Sequence, residues 1–364
     1  MKNSIGTSIQ LTLFGESHGP AIGAVLDGLA PGIPVDEEFI ASQLSKRRPG
    51  GVTDTARVEA DRYSILSGVY KGFTTGAPLA IVIPNENVRS ADYASFEGVA
   101  RPSHADFAAN CKYHGFEDPR GGGHFSGRIT AAIVAAGAVC IKALEAKGIK
   151  IATHILECGG VKDAPFSDFA AEMDLVNSRS FPVIADVEAA MTERISDARA
   201  EGDSLGGVIQ TAVTGMPAGV GEPWFDSLES VISRAVFAIG GIKGIEFGSG
   251  FAMSSMRGSE ANDAFRVEDG RVVTSSNHNG GINGGISNGM PLVFNMAVKP
   301  TPSIAKLQKS VNFKDMTNVD LEIKGRHDPA IVRRICVVVS SLLAVVLSDA
   351  LALRFGTDYL AENR

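Results

Sequence analysis

Three features of the sequence point to an α+β fold in which antiparallel sheets pack on buried helices. Strand-like and helix-like segments are mixed without regular βαβ alternation. No G-x-G-x-x-G follows the first strand and no Walker A motif occurs, so the parallel nucleotide-binding folds are not indicated. Two long runs, 126–148 and 335–353, are apolar nearly all round, as expected of helices buried on every side. No linker stands out, and the chain is read as a single domain over residues 1–364.

Taken in order, residues 4–13 read as a strand, 15–19 (GESHG) as a turn and 21–28 as a second strand, together a hairpin with a polar tip. Pro34 and Asp36 open an amphipathic helix to about 44, with Asp36 as N-cap, and the basic loop SKRRPGG follows. Segments 56–66 and 78–84 read as strands, the second apolar enough to be central. Ser126 is expected to cap the helix that stops near Gly148. Strand 149–156, a helix capped by Asp186 and running to about 200, strand 207–214 and a helix over 224–239 come next. The glycine-rich stretch NHNGGINGGISNG leads into a strand over 290–300, and Pro329 suits the first turn of the last long helix. That helix falls short of the ~20 uninterrupted apolar residues a membrane span needs, because Asp349 breaks it. The tail from about 357 is expected to fray.

Composition narrows the function. A net charge of −7 argues against general nucleic-acid binding, so an anionic ligand would need a local basic pocket. Cys111, Cys140, Cys158 and Cys336 form no C-x-x-C pair, and no apolar leader opens the chain. Both observations suit a reducing, cytoplasmic setting without membrane contact.

The densest chemistry lies in 101–128, RPSHADFAANCKYHGFEDPRGGGHFSGR. A glycine loop feeding a helix N-terminus leaves backbone N–H groups free for phosphate or carboxylate, or is simply a tight turn; with His and Arg beside it the anion site is favoured. Four histidines occupy expected loops: His18, His104, His124 and His327. Any one alone is most simply a loop-tying hydrogen bonder, but His is also the side chain that exchanges a proton near neutral pH. No metal is expected, since no H-E-x-x-H or comparable spacing occurs. A Ser17–His18–Asp328 hydrolase is disfavoured because GESHG is not a G-x-S-x-G elbow. Arginines cluster beside Gly and Pro in the same loops, as carboxylate and phosphate recognition requires.

Together these segments resemble the chorismate synthase family. FGESHG, the RRPG loop, ILSGVYKGFTTGAPLA, RPSHAD, RGGGHFSGRITA, EGDSLGG, GMPAGVGEP, IKGIEFGSGF, GGINGGISNGMPL, KPTPSI and GRHDP follow in family order over almost the whole chain. The resemblance implies a β-α-β sandwich, helices held between two antiparallel sheets, in a homotetramer. It implies 1,4-anti elimination of phosphate from 5-enolpyruvylshikimate 3-phosphate to give chorismate, with reduced FMN needed although no net redox change occurs. NADPH is implied only as an indirect reductant. With no reductase domain visible, an external flavin reductase is the expected partner. The rival class is a non-catalytic flavin- or phosphate-binding protein of the same fold.

By the same resemblance, Ser17, His18, His104 and Asp328 are catalytic. Arg48, Arg57, Arg101, Arg128 and Arg326 bind the substrate's phosphate and two carboxylates. Flavin contacts carry over to His124, Phe125, Ser126, Gly240, Gly241, Gly284, Lys299, Pro300, Thr301, Pro302, Ser303 and Arg326, and Arg48 is also associated with a nicotinamide nucleotide. His124-Phe125 stand where the family usually has Arg-Ser or Arg-Ala, which makes one positive group conditional on pH. The loop after Arg48 is poorer in basic residues than the family's, Asn283 replaces an apolar residue, and Pro302 is a position that often differs.

Overall fold

In the computed structural model, which describes residues 2–50, 60–86, 98–323 and 328–361, the chain begins with a meander. Strands Ser4–Ile5 (β1), Gln10–Gly15 (β2) and Ala21–Asp27 (β3) run antiparallel, and β2 and β3 form the expected hairpin with Gln10 opposite Asp27. The single strand expected over 4–13 is broken. Residues 7–9 turn so that the N–H groups of Thr7, Ser8 and Ile9 donate to the Asp349 carboxylate at 2.9, 2.6 and 2.8 Å. A carboxylate at the far end of the chain thus satisfies three backbone donors, which local patterning cannot announce.

Helix Glu37–Arg47 (α1) starts where expected. Asp36 accepts the Phe39 N–H at 2.8 Å, and Glu37 and Glu38 face the positive end of the helix. The expected strand over 56–66 is described only from residue 60 and becomes a strand at Ser64–Ser67 (β4). A small hairpin, Val69–Tyr70 (β5) with Phe73–Thr74 (β6), precedes Leu79–Pro84 (β7). In the first sheet, ordered β1-β2-β3-β7-β4, β7 has neighbours on both sides, as its apolar character required.

The middle of the chain adds helices Asp106–Tyr113 (α2) and Thr130–Glu145 (α3), strands Lys150–Cys158 (β8) and Val161–Lys162 (β9), and helices Phe169–Ser178 (α4) and Glu188–Ala200 (α5). Then come Gly207–Thr214 (β10), Leu228–Val236 (α6), Ile242–Phe247 (β11) and Gly258–Ala261 (α7). Hairpins Phe265–Glu268 (β12) with Arg271–Thr274 (β13) and Ile282–Asn283 (β14) with Ile286–Ser287 (β15) follow. Leu292–Val298 (β16), the pair Gln308–Asn312 (β17) and Thr317–Leu321 (β18), and Val332–Phe355 (α8) complete the main elements. The second sheet is antiparallel with order β11-β16-β10-β8-β9.

Several local expectations need correction. Asp186 does not cap α5: the N-cap position is Val187, with no side-chain bond. The helix expected over 224–239 is a 3-10 turn, Trp224–Asp226, followed by α6, because the Ser227 hydroxyl caps the Ser230 N–H at 3.1 Å and starts a new helix there. Ser126 does act as a cap, but of a 3-10 turn ahead of α3, and α3 ends at Glu145 rather than at Gly148. Pro329 precedes α8 instead of entering its first turn.

The core is built on α3 and α8. Helix α3 touches β2, β3 and β7 of the first sheet and β8 of the second; α8 touches β2 as well as β8 and β10. A Cβ on Gly137 of α3 would lie 2.3 Å from the Ser341 carbonyl of α8, so only glycine permits this crossing. Each fully buried Leu, Ile or Val along them contributes about 1.5–3 kcal/mol. Segments Gly127–Glu145 and Val332–Phe355 are apolar and long enough to cross a bilayer, yet 83% and 89% of their most apolar windows are buried within the chain, as core helices are. Helix α4 covers the other face of the second sheet, where Met173 and Val176 meet Ala152, Phe166 and Ala212. Cys140, Cys158 and Cys336 are buried; burial pushes the Cys140 thiol up to about 12 and the Cys158 thiol up to about 11, which makes them poor nucleophiles.

Candidate active site

The loops singled out from the sequence meet in space. Ser17 and His18 are buried in the turn between β2 and β3. The glycine loop closes over them: the Ser17 N–H donates to the Gly123 carbonyl at 3.0 Å, and His124 Nδ1 lies 3.0 Å from the Gly15 carbonyl. Gly121, at φ +60°, faces the imidazole so closely that an added Cβ would sit 2.2 Å from His18 Cε1 and Nδ1 and 2.9 Å from Ser17 Oγ. The triple glycine therefore serves as a lid on His18 as well as a turn. His124 meets this turn through a ring nitrogen.

Next to this lid is the 101–106 loop. A Cβ on Gly122 would lie 3.9 Å from Arg101 Nη2. Arg101 is clamped by Asp106, which accepts from its Nε at 2.8 Å, its Nη2 at 2.7 Å and its backbone N–H at 2.9 Å. The His104 N–H closes the turn onto the Arg101 carbonyl at 3.1 Å, and Ser103 takes the left-handed conformation (φ +59°) that few side chains adopt. Burial opposes the ionised form of Asp106, but the hydrogen bonds and charge of Arg101 outweigh it and hold the carboxyl below its ordinary range.

His104 reaches across to the 299–303 loop, with Nε2 2.8 Å from Ser303 Oγ. Lys299 Nζ donates to the Ser103 carbonyl at 2.8 Å, a second tie between the same loops. Burial, then the Arg101 charge, lower the His104 pKa to about 4; Asp106 pulls the other way and Lys299 adds to the depression. The imidazole is therefore neutral at pH 7 among cations. The Lys299 N–H also donates to the Gly241 carbonyl at 2.9 Å, which brings Gly240 and Gly241 to this cluster.

Arg128 is tied to the 15–19 turn through Asn85. Arg128 Nη1 pairs with the buried Asp61 carboxylate, Nε donates to Asn85 Oδ1 at 3.1 Å and Nη2 to the Pro84 carbonyl at 3.2 Å. Arg47 Nε is 3.9 Å from the second oxygen of Asp61, so one carboxylate holds two arginines. Arg48 follows directly at the end of α1, and its carbonyl accepts Arg333 Nη2 at 3.1 Å. Asp328 is buried and pairs with Arg334 at the start of α8. The 201–207 loop ties this region to the 299–303 loop: the Leu205 N–H donates to the Pro329 carbonyl at 2.7 Å, and Ser204 Oγ to the Thr301 carbonyl at 2.6 Å.

Arg57, Arg326 and His327 lie outside the described residues. Gly284 stands apart within the chain. It sits in the β14–β15 turn near the start of α6, where Gly285 accepts the Leu228 N–H at 2.9 Å. The seven residues of β16 separate that end from Lys299, about 20 Å at the usual strand rise. Asn85 and Asp61 were not singled out from sequence, because their partners are set by tertiary contact alone. Among the described residues, no three His, Cys, Asp or Glu side chains converge as metal ligands would.

Two buried hydroxyls, Ser17 Oγ and Thr301 Oγ1, have no hydrogen-bond partner among the described residues. Orphaned polar atoms on two loops of this cluster fit a polar, planar cofactor such as a flavin.

A buried Ser-His turn, a neutral imidazole among cations and a glycine lid suit an α+β enzyme that acts on a small molecule. The comparisons agree on which one. The family model described as "Chorismate synthase" matches residues 9–352. Chorismate synthases of Korarchaeum cryptofilum and Dehalococcoides mccartyi are each 46% identical, over 94% and 98% of this chain and 96% and 98% of theirs. A solved chorismate synthase structure superposes with a TM-score of 0.76 at 28% identity, covering 97% of this chain and 94% of that one. The chain belongs to the chorismate synthase family.

Proposed function

We propose that this lyase, chorismate-forming like its family, removes phosphate from 5-enolpyruvylshikimate 3-phosphate by 1,4-anti elimination, with reduced FMN bound. The observation that carries the reading is the meeting of the 15–19, 101–106, 120–126 and 299–303 loops around Ser17, His18 and His104. The substrate's phosphate and two carboxylates are matched by Arg48, Arg101 and Arg128, with Arg57 and Arg326 assigned by resemblance. Arg128, already held by Asp61 and Asn85, contributes fixed charge rather than a mobile fork.

His104 is neutral without ligand because burial and its cationic neighbours disfavour a proton. An arriving phosphate reverses that balance. The imidazole then takes up a proton and faces the departing phosphate, whose charge grows as the C–O bond breaks. Ser303 Oγ holds the ring in place until then. His18, pressed against the glycine lid, presents its ring to the flavin edge, and Ser17 and Asp328 flank the site of C6 hydrogen loss. The flavin would be held by His124, Phe125, Ser126, Gly240, Gly241, Lys299, Pro300, Thr301, Pro302, Ser303 and Arg326. Gly284 is assigned to the flavin by resemblance alone. When bound, reduced FMN supplies electron density to an elimination that changes no net oxidation state.

We assign the helices α3 and α8 to the middle layer of a β-α-β sandwich, the chain to a cytoplasmic homotetramer, and flavin reduction to an external reductase using NADPH. The test is an anaerobic assay with dithionite-reduced FMN: chorismate should form without stoichiometric consumption of reductant.

A further inference from the structure

We infer that Asn85 is a positioning residue that fixes the Ser17–His18 turn against Arg128. The proposal rests on the reading of that turn as catalytic. One side-chain amide makes three bonds. Its Nδ2 donates to the Glu16 carbonyl at 2.9 Å and to the Gly19 carbonyl at 2.9 Å, the two ends of the turn that holds Ser17 and His18. Its Oδ1 accepts Arg128 Nε at 3.1 Å. The orientation of the amide is dictated by these partners: the flipped form would oppose an N–H to a guanidinium N–H and an oxygen to two carbonyls. The backbone adds a fourth tie, the Asn85 N–H to the Pro20 carbonyl at 3.1 Å, which any substitution except proline keeps.

Ties from two other segments hold the turn. Above, Gly121 contacts the His18 ring and Gly123 accepts the Ser17 N–H. Below, Asn85 is the group that spans both ends. Arg128 in turn is locked by Asp61 and the Pro84 carbonyl, so the amide transmits the rigidity of a buried ion pair to the turn. Only an amide does this: it offers two donors and one acceptor in one plane at this reach.

Asn85→Asp separates the contact to Arg128 from the two contacts to the turn. The carboxylate keeps the shape and the oxygen facing Arg128, but it sets an acceptor against the Glu16 and Gly19 carbonyls. Hydrogen exchange of the Ser17 and Gly19 amides should quicken at least about 10-fold in the ligand-free protein, with α3 and α8 unchanged. kcat for chorismate formation should fall about 30- to 100-fold while KM stays within about threefold, as expected when reacting groups are misplaced and binding charges remain. Unchanged exchange at 17 and 19 overturns the proposal whatever the activity. So does a loss of rate accompanied by equal loosening of α3 and α8, which marks a general structural role. Should the Asp variant fail to fold, Asn85→Ala is read by the same two measurements. If the wild-type protein forms no chorismate, the functional reading fails, and the exchange result still decides whether Asn85 holds the turn.

Discussion

His104 and Ser303 stand 199 positions apart in sequence, and His104 Nε2 lies 2.8 Å from Ser303 Oγ. This contact joins the loop of an expected catalytic histidine to a loop of expected cofactor contacts. It also places the imidazole where burial and Arg101 keep it neutral, with its pKa lowered to about 4. Binding of a multiply anionic substrate should therefore be coupled to proton uptake. Calorimetry at pH 7 in two buffers of different ionisation enthalpy should show an uptake of about half to one proton per site that disappears in His104→Gln. Equal uptake in the variant would assign the proton to another group.

The same residue sets a direction for stability. In the unfolded chain His titrates near its ordinary value of about 6.5, and in the folded chain His104 titrates lower. Between the two values the unfolded state holds more protons, so the contribution of neutral His104 is present above pH 6.5 and is lost as pH falls toward 4. The urea midpoint of the wild-type protein should drop between pH 7 and pH 5 by more than that of His104→Gln.

His104→Ala should cost far more rate than affinity. A charge needed chiefly as the phosphate departs acts on kcat, and loss of one group that stabilises developing charge typically costs about 100- to 1,000-fold. A substrate titration that weakens in proportion to the rate would show a ground-state role instead.

Gly121→Ala tests the lid. The residue has φ +60° and no room for a Cβ beside His18. The added methyl must push the imidazole or the loop away, so FMN affinity and kcat should both fall at least about 10-fold. Gly127→Ala is the control, because nothing lies within 4 Å of a Cβ there.

Asp349→Ala tests the fold rather than the site. It strands the N–H groups of Thr7, Ser8 and Ile9 beside the apolar face of α8. At about 1–3 kcal/mol per unsatisfied donor, discounted because two of the three are only partly buried, the loss should be about 3 kcal/mol. The shift in urea midpoint at constant slope reads it.

The residues that carry these predictions differ in how far sequence announced them. The β2–β3 hairpin, α1 with its Asp36 cap, and the buried helices α3 and α8 followed from period and capping chemistry. Ser17, His18, His104 and Arg101 were visible because glycine, proline and charge crowd their loops. Asp349 was visible only as an interruption of an apolar run; its role depends on a turn more than 300 residues away. Asn85 and Asp61 sit in stretches with no motif, and the work of each depends on Arg128 from another element. The β17–β18 pair is set by tertiary contact: its neighbour Val99 bridges Asn312 across more than two hundred residues. Asp186 failed as a cap because the helix starts one residue later than the pattern suggested, with Val187 at the N-cap position.

The most direct measurement of the central claim is a single-turnover experiment under argon. Protein, dithionite-reduced FMN and 5-enolpyruvylshikimate 3-phosphate are mixed, and chorismate absorbance is followed with phosphate release. The expected result is one phosphate per chorismate, reduced flavin still present at the end, and no product when FMN is left oxidised. Phosphate release without chorismate, or equal turnover without flavin, would contradict it.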